Sequence, residues 1–339
     1  MYSPHFDLSS RLLNFITQAT ELKTLINQSL IKVPWLPQLQ NETTIKLAHF
    51  STAIEGNLLT LPEVQSLSQG EEIFAEKKSK QEVLNYLSAL RWIWTQKSNA
   101  LIQETTLLKL HKIIAQSLLK PEQCGKYKTV QNRVVNSRGQ TIYTPPAPQE
   151  TQALVTQFLS WLNSKAAYEL HPILSSAIAH HHLVSIHPFS DGNGRISRAL
   201  GIWVLYTRGF DTHHLLALDE YFEADRARYY NKIQQARDMD NDLSYWIEYV
   251  AEGVVQTLKA TQHRIVSLQV SAKDHTITLN KKQEDLLRFI RDKGKVRSPE
   301  IERAFAISRS RISQILQPLI AQDLVIREGF TRATFYRLA

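Results

Sequence analysis

Residues 187–198 read HPFSDGNGRISR and bring together a histidine, an aspartate, two glycines, an asparagine and two arginines. Glycine is unfavourable inside a helix, and charged residues are uncommon in a buried strand. The stretch therefore indicates a chemical site. The preceding ILSSAIAHHHLVSI at 173–186 predicts a buried helix, and GRISRALGIWVLYTRG, from Gly194, begins another. The glycines thus lie in a tight loop between two helices.

This loop has the residue types of an anion-binding catalytic site. Gly192–Gly194 leads into a helix N-terminus, where free N–H groups and the helix dipole favour an anion. Arg195 and Arg198 are three residues apart, so both can reach the same bound phosphates. Asp191 suits a Mg²⁺ ion that bridges phosphate oxygens. His187 is a candidate general base near neutral pH.

Other phosphate-binding and metal-binding patterns are excluded. No G-x-x-x-x-G-K-[ST] segment occurs in the chain. Ser197 stands where a dinucleotide fingerprint needs its third glycine, and no strand precedes the loop. His180, His181 and His182 are consecutive in a predicted helix and point about 100° apart, so they cannot converge on one ion. We interpret them as a mixture of core and surface histidines.

Most of the chain is predicted to be helical, from apolar residues at three- and four-residue spacing. The predicted helices lie at 10–30, 80–96, 104–119, 150–163, 173–186, 226–237 and 243–262. The segment 125–146 differs, because β-branched residues flank a Ser-Arg-Gly turn and predict a short hairpin. We divide the chain into an N-terminal helical region (1–100), a core (101–265), a linker (266–280) and a tail (281–339).

The tail predicts a winged helix-turn-helix domain. Helices are expected at 281–293, ended by Gly294, at 298–306, with Ser298 as N-cap and Pro299 in first position, and at 308–324. Two short strands should follow within 325–338. The expected fold class is therefore mainly α, with a short β-hairpin and a small C-terminal winged-helix α+β domain.

The tail is also basic. Residues 274–339 hold 13 Lys and Arg against 8 Asp and Glu, a net +5 of the whole-chain +8. In a DNA-binding interpretation, the third helix would meet phosphates or base edges through its first residues. Those residues are Arg309, Ser310, Arg311 and Gln314. The same fold also serves as a protein-interaction or dimer module, and this alternative stays open.

Composition bounds the class of protein. Hydrophobic residues make up 43% of the chain and charged residues 21%, as in a soluble globular protein. The only cysteine, Cys124, allows no intrachain disulfide, and a reducing cytoplasm is the simplest expectation. MYSPHFDLSS at 1–10 lacks the regions of a signal peptide, and no apolar run approaches a membrane span. We therefore expect no membrane partner.

The stretch 187–198 resembles the Fic family motif, H-x-F-x-[DE]-G-N-G-R-x-x-R. All of its specified positions match: His187, Phe189, Asp191, Gly192, Asn193, Gly194, Arg195 and Arg198. The resemblance implies an all-helical core that transfers AMP from ATP to a hydroxyl side chain (Ser, Thr or Tyr) of a target protein. It also implies that the histidine deprotonates this hydroxyl and that the acid holds Mg²⁺.

In the family, the loop and the first arginine cradle the α- and β-phosphates, and the second arginine meets the γ-phosphate. The phenylalanine anchors the loop in the core. The predicted phosphate-binding set is Gly192, Asn193, Gly194, Arg195, Ser197 and Arg198. By the same resemblance, a homodimer is the expected assembly.

A second signature, STAIEGN, spans Ser51 to Asn57. A carboxylate near the C-terminal end of a helix is unfavourable against the dipole, so Glu55 should have a partner elsewhere. The stretch resembles the Fic inhibitory motif, [ST]-x-x-x-E-[GN], at Ser51, Glu55 and Gly56. The resemblance implies that Glu55 pairs with Arg198 and keeps the γ-phosphate from that arginine. In some members the same glutamate supports removal of AMP from the target.

The hairpin at 125–146 fits the flap that Fic proteins place over the active site. An extended target segment can pair with the edge of such a flap. By position, Asn132, Arg133, Val134 and Val135 would line the nucleotide. Tyr229 and Tyr230 match a tyrosine pair that packs on adenosine in relatives, although helix packing explains one of the two nearly as well. The family resemblance covers about residues 1–260.

Two other functions are weighed against AMP transfer. A phosphotransferase of the related Doc type departs from the family pattern at the Gly192–Gly194 loop, and this chain shows no departure there. A DNA-binding regulator with a nucleotide-sensing Fic domain belongs to another class of protein. The intact motif argues against a vestigial core, whereas the basic tail keeps the regulatory function open.

Overall fold

A computed structural model shows a mainly helical chain. The structure describes residues 2–29, 35–135, 138–271, 281–321, 324–329 and 334–338. The first helices are α1 (Ser10–Ser29), α2 (Leu36–Ile54), α3 (Leu61–Ser68), α4 (Lys77–Trp94) and α5 (Glu104–Ala115). The next are α6 (Pro148–Leu162), α7 (Lys165–Glu169), α8 (Pro172–Ile186), α9 (Asn193–Thr207), α10 (Leu218–Ala224), α11 (Arg226–Asp238) and α12 (Ser244–Ser271).

Helices α8 and α9 pack against each other at the centre of this helical body. Nearly every side chain of α8 is buried, as expected for a helix that is apolar on all sides. Large buried side chains surround the pair, among them Phe158 and Trp246, and Trp203 of α9 is itself buried. The loop of the 187–198 motif joins these two helices, so it is held at both ends by the core.

The predicted hairpin is confirmed. Its strands are β1 (Val134–Val135) and β2 (Thr141–Tyr143), which pair antiparallel with Val134 opposite Tyr143. Residues 136 and 137 of the turn lie outside the described part of the chain. Among the described helices, none has the length and apolar character needed to cross a membrane.

Helix α12 is longer than the sequence predicts. Helix α12 continues to Ser271, whereas the sequence predicts that it ends near 262 and that the linker occupies 266–280. The remainder of that predicted linker, 272–280, lies outside the described residues. Residues 267–271 extend the helix because its earlier turns already pack on α1 and α8, and Leu268 packs against the same core.

The tail forms a separate small unit. It contains α13 (Lys281–Lys293), β3 (Lys295–Arg297), α14 (Ser298–Phe305), α15 (Arg309–Ala321), β4 (Val325–Glu328) and β5 (Phe335–Leu338). The three strands form an antiparallel sheet in the order β3-β5-β4, and the unit has its own apolar core. The three helices and two of the strands match the prediction, whereas the three-residue β3 was too short to predict.

One helix start in this unit differs from the prediction. The N-cap of α14 is Arg297, and Ser298 is the first helical residue. Arg297 lies in β3, so its backbone is already extended, and its N–H donates to the carboxylate of Glu300 at 2.8 Å. This bond satisfies the helix start without the hydroxyl of Ser298.

The tail unit contacts the N-terminal helices. Helix α13 packs against α2, and the Arg291 guanidinium donates to the side chain of Gln40. Gly294, whose φ is +75°, lies against the carbonyl of Ser68 at the end of α3. A β-carbon on Gly294 would lie 2.5 Å from that oxygen, so only glycine allows this approach. Helix α2 therefore contacts the tail near its N-terminal end, at Gln40, and carries Ser51 near its C-terminal end.

Candidate active site

The motif loop is held in shape by hydrogen bonds from its own residues. His187 ends α8 in a left-handed conformation (φ 51°), and Gly192 precedes α9 with φ 78°. The Asn193 side chain accepts from the N–H of Phe189 at 2.9 Å and donates to its carbonyl at 2.8 Å. Phe189 is fully buried, which agrees with its predicted anchoring role.

His111 of α5 packs against the motif loop and is hydrogen-bonded to it. Its ring stacks on Phe189 with centroids 3.7 Å apart. Its Nδ1 accepts from the N–H of Gly125 at 3.0 Å, so its Nε2 carries the proton and donates to the carbonyl of Asp191 at 3.1 Å. Burial lowers the pKa of His111 to about 4, which keeps the ring neutral. Sequence analysis missed this residue, because an isolated histidine in an amphipathic helix carries no signal.

His187 is arranged as a neutral base. Its Nδ1 lies 3.2 Å from the carbonyl of Val184, which can only accept, so Nδ1 carries the proton and Nε2 keeps its lone pair. Burial, together with the nearby charges of Arg237 and Lys128, lowers the pKa of His187 to about 4. The imidazole is therefore unprotonated at neutral pH and can take a proton from a hydroxyl group.

Arg198 is buried and fully engaged. Its Nε donates to the Ser51 hydroxyl at 2.8 Å, and its Nη2 donates at 2.8 Å both to the Ser51 carbonyl and to the Glu55 carboxylate. Its Nη1 donates to the hydroxyl of Tyr229 at 3.3 Å. The structure therefore brings together the predicted pair, Glu55 and Arg198, from residues 143 positions apart in the chain.

A second buried carboxyl group, that of Asp219, lies near Arg198. Asp219 is buried and accepts from the hydroxyl of Tyr86 at 3.2 Å. Burial raises the pKa of Asp219 to about 6, and the nearby charge of Arg198 opposes this increase. The sequence pattern pointed to neither Asp219 nor Tyr86, since both come from helices far from the loop in the chain and belong to no motif.

Arg195 has few partners despite its burial. Its side chain is 5% exposed. Two carboxylates lie near its guanidinium, that of Glu82 at 3.4 Å and that of Asp191 at 3.5 Å. Its Nε and Nη1 have no hydrogen-bond partner within the described ranges. A buried guanidinium with free N–H groups beside a helix N-terminus is ready to bind phosphate oxygens.

Asp191 is the residue that fits a metal ion. Its carboxylate is 56% exposed and lies at the mouth of the loop, with one oxygen accepting from the N–H of Gly192 at 2.6 Å. Within the described residues, no group of three or more metal-binding side chains exists. A Mg²⁺ ion here would need phosphate and water oxygens for its other ligands, which is its usual coordination beside nucleotides.

The flap is tied to the motif loop. The Asn132 amide donates to the carbonyl of Phe189 at 2.9 Å, and its oxygen accepts from Lys128 at 2.8 Å. On the second strand, Tyr143 donates to the carbonyl of Ser185 at 2.8 Å and lies under the Arg237 guanidinium at 3.8 Å. Arg133 and Val135 are exposed and Val134 is half-buried, so the strand edge faces outward.

Three predicted ligand residues have structural partners instead. The Ser197 hydroxyl is fully buried and donates to the carbonyl of Asn193 at 2.7 Å, so it is not available to a phosphate. The Asn193 amide is likewise committed to Phe189, which leaves only its backbone for the nucleotide. Tyr229 is buried, and its hydroxyl lies 3.0 Å from His180 and supports Arg198, so its ring packs in the core rather than on adenosine.

Tyr230 differs from its neighbour. It is half-buried, and its hydroxyl donates to the carbonyl of Ile54 at 3.1 Å, at the end of α2. It also lies near Arg226, whose guanidinium is 5.7 Å from the ring centroid. Helix packing therefore explains Tyr229, which was the alternative considered for one of the two tyrosines. Of this pair, only Tyr230 is partly exposed.

The consecutive histidines point in three directions, as predicted. His180 contacts the Tyr229 hydroxyl, His181 lies 3.1 Å from the carbonyl of Ile233, and His182 stacks on Tyr2 at 3.7 Å. His180 and His181 are buried, and His182 is half-buried. Two of the three are therefore core residues, and none is a surface residue, which differs from the predicted mixture of core and surface histidines.

Comparison with known proteins finds relatives of the segment that contains this site. Residues 101–205 match the Fic/DOC family. Curated relatives include the protein adenylyltransferases Fic of Aedes aegypti, 29% identical over 66% of this chain and 42% of the relative, and of Nematostella vectensis, 31% identical over 66% of this chain and 51% of the relative. The chain thus spans about half the length of the curated relatives it matches.

Solved structures share the fold. A Fic family protein from Desulfovibrio desulfuricans G20 aligns with a TM-score of 0.68 and 21% identity, over 100% of this chain and 98% of that one. Fic-1 from C. elegans aligns with a TM-score of 0.64 and 24% identity, over 77% of this chain and 74% of that one. At these identities the likeness concerns the fold.

Proposed function

We propose that this chain, whose residues 101–205 match the Fic/DOC family, is a self-inhibited protein adenylyltransferase. It would transfer AMP from ATP to a hydroxyl side chain of a target protein. The observation that carries the proposal is the arrangement of His187 and the loop after it. The neutral imidazole of His187 has a free Nε2. It precedes the N-terminus of α9 and the buried Arg195, whose Nε and Nη1 have no hydrogen-bond partner among the described residues.

In the proposed reaction, Nε2 of His187 takes the proton of the target hydroxyl. The oxygen forms a bond to the α-phosphorus of ATP, and the bond from that phosphorus to the bridging oxygen breaks. Pyrophosphate leaves with the electron pair of that bond. The backbone of Gly192–Gly194 and the guanidinium of Arg195 would hold the α- and β-phosphates, where they stabilise the charge that develops.

The nucleotide would bring a Mg²⁺ ion, for which Asp191 is the protein ligand. The ion would neutralise phosphate charge and leave the proton transfer to His187. The exposed carboxylate at the loop mouth supports this assignment, because a single carboxylate with phosphate and water oxygens suffices for Mg²⁺.

The resting state would be inhibited by Glu55. Its carboxylate and the Ser51 groups use the donors of Arg198 that a γ-phosphate would need. Glu55 also fills the space next to Gly194, where its carboxyl carbon is 3.1 Å from the place of a β-carbon. ATP would therefore bind in an unproductive position until α2 moves. The same carboxylate would be placed to support removal of AMP from a modified target.

The target would bind along the flap. Val135 and Ile142 are exposed on the two strands, and a short hairpin edge can pair with an extended segment. The flap is anchored through Asn132 and Tyr143 to the residues that flank His187, so a paired segment would be held beside the base.

The decisive experiment is intact-mass spectrometry of the Glu55→Gly chain after incubation with ATP and Mg²⁺. Removing one partner of this part-buried ion pair should increase transfer about tenfold or more. We expect an adenylate adduct on the chain or on a protein from added lysate, and its loss in Glu55→Gly/His187→Ala. An added phosphate would support a phosphotransferase instead. No transfer in the presence of lysate would contradict the proposal.

A second function is favoured by the surface of the tail. Arg309, Ser310, Arg311 and Gln314 are all exposed at the start of α15, which follows α14 as the second helix of a helix-turn-helix does. We propose that this unit is a winged helix that binds duplex DNA. Arg309→Ala/Arg311→Ala should weaken binding and reduce the salt slope by about one per lost phosphate contact. Arg288→Ala is the control, since this arginine is exposed on α13 and its loss also removes positive charge.

A further inference from the structure

Each arginine of the motif faces a carboxylate from outside the motif. Glu55 lies on Arg198, whereas Glu82 of α4 lies 3.4 Å from Nη1 of Arg195. The Glu82 side chain is only 13% exposed, and the Arg195 side chain is 5% exposed. Their interaction is therefore poorly screened by solvent.

The inhibitory loop, residues 55–57, holds Glu82 in this position. Asn57, two residues after Glu55, is buried, and its amide donates to the second oxygen of Glu82 at 2.9 Å. The same amide donates to the carbonyl of Ser79 at 3.0 Å, and its oxygen accepts from the N–H of Leu59 at 3.1 Å. Asn57 thus joins the end of the inhibitory helix to the first turns of α4.

The two arginine pairs differ in strength. Arg198 donates hydrogen bonds from all three of its nitrogens, and its contact with Glu55 is 2.8 Å. Arg195 makes a longer ion pair with Glu82, and its Nε and Nη1 find no hydrogen-bond partner among the residues described. A phosphate can therefore reach Arg195 without displacing Glu82, but it must approach a carboxylate of the same sign.

We propose that Glu82 is a second inhibitory carboxylate, which weakens phosphate binding at Arg195 and which Asn57 fixes in place. This inference rests on the proposed function and adds that the inhibitory loop acts on both arginines. Glu55 competes directly for Arg198, and Asn57 presents Glu82 to Arg195. When the loop leaves, both arginines gain positive potential toward the triphosphate.

The test uses ADP, because ADP lacks the γ-phosphate for which Glu55 competes. Binding of ADP with Mg²⁺ to the full chain is measured by isothermal titration calorimetry. Glu82→Gln keeps the shape and an acceptor for Asn57 and removes the charge. We expect its Kd for ADP to fall about fivefold, the effect of a part-buried ion pair. A purely structural role of Glu82 would not tighten a ligand.

Glu252→Gln is the matched control. Glu252 is similarly buried, at 18% exposure, and also pairs with an arginine, Arg228 at 3.0 Å, on helices away from the loop. Its substitution should leave the Kd for ADP unchanged. Glu55→Gly should tighten ATP more than ADP, because only ATP carries the γ-phosphate for which Glu55 competes.

Asn57→Ala tests the link to the inhibitory loop. It should tighten ADP in the wild-type chain and have no further effect once Glu82 is Gln, since the two changes act through one contact. An unchanged or higher Kd for ADP in Glu82→Gln would overturn the inference and leave the proposed function standing. Failure of every variant to bind ADP would contradict both.

Discussion

Oε1 of Glu55 lies 2.8 Å from Nη2 of Arg198, and the arginine is buried with no exposed side-chain surface. The contact joins the C-cap of α2 to the second turn of α9, the helix that follows the motif loop. In the proposed function Arg198 would meet the γ-phosphate, so this ion pair would make the affinity for that phosphate depend on the position of α2.

The first prediction concerns the difference between ATP and ADP. In the wild-type chain, both nucleotides should bind with similar Kd, because Arg198 cannot reach the γ-phosphate. In Glu55→Gly, ATP should bind about tenfold more tightly than ADP, since a freed guanidinium gains a charge-assisted hydrogen bond. Titration calorimetry with each nucleotide measures this ratio. Glu55→Gln should give an intermediate ratio, and equal ratios in all three proteins would refute the inhibitory contact.

The second prediction concerns His187 as base. Since burial lowers the pKa of His187 to about 4, its neutral form prevails throughout the neutral range. The rate of AMP transfer by the Glu55→Gly chain should therefore not fall as the pH is lowered through 6.5, the ordinary pKa of histidine. Rates at saturating ATP over about pH 5.5 to 8 measure this. A rate that halves near pH 6.5 would show that His187 titrates normally.

The third prediction concerns His111. His111→Phe should keep the ring stacked on Phe189 and leave the Gly125 N–H and the Asp191 carbonyl without partners. Each lost partner destabilises the loop by about 1–3 kcal/mol. We expect the KM for ATP of the Glu55→Gly chain to rise about tenfold. His182→Phe replaces another stacked histidine, on Tyr2, and should leave KM unchanged.

The fourth prediction concerns stability and pH. Burial lowers the pKa of His181, His111 and His187 to about 4, whereas unfolded histidine titrates near 6.5. Between these values the unfolded chain binds more protons, so the free energy of unfolding should fall as pH drops from about 6.5 to 4. Each such histidine contributes at most about 3 kcal/mol to that fall.

His181→Gln tests this slope. The glutamine amide can replace the donor that faces the Ile233 carbonyl, and it does not titrate. Urea unfolding at several pH values should show a shallower dependence in this variant than in the wild-type chain. Parallel curves would mean that His181 is not buried in its neutral form.

The fifth prediction concerns the contact between the tail and the N-terminal helices. Gly294→Ala places a β-carbon 2.5 Å from the Ser68 carbonyl, in addition to the strain of a left-handed backbone of about 1–2 kcal/mol. Gly209→Ala carries the same strain, with φ +75°, and its β-carbon would meet no described atom within 4 Å. Calorimetric melting should show a greater loss for Gly294→Ala. An equal decrease in melting temperature for the two variants would mean that Gly294 does not pack closely against the end of α3.

Residue patterns along the chain predicted the helical body and the hairpin, and they located the residue types of the motif loop. Helical periodicity predicted most helix positions within a few residues, because an amphipathic helix must bury its apolar face wherever it lies. His187, Asp191 and Arg195 could be assigned because they are neighbours in the chain and local geometry brings them to one loop. Glu55 was found through a short motif, although its partner is 143 positions away.

The tertiary structure alone decided which side chains are available. Ser197 and Tyr229 belong to motif-like positions, yet the packing of α8, α9 and α11 buries them against other polar groups. Glu82 and His111 lie in ordinary amphipathic helices, and only the folded chain places their side chains against Arg195 and the motif loop. Burial, pairing and the pKa of a side chain depend on neighbours distant in the chain, and local residue patterns do not encode those neighbours.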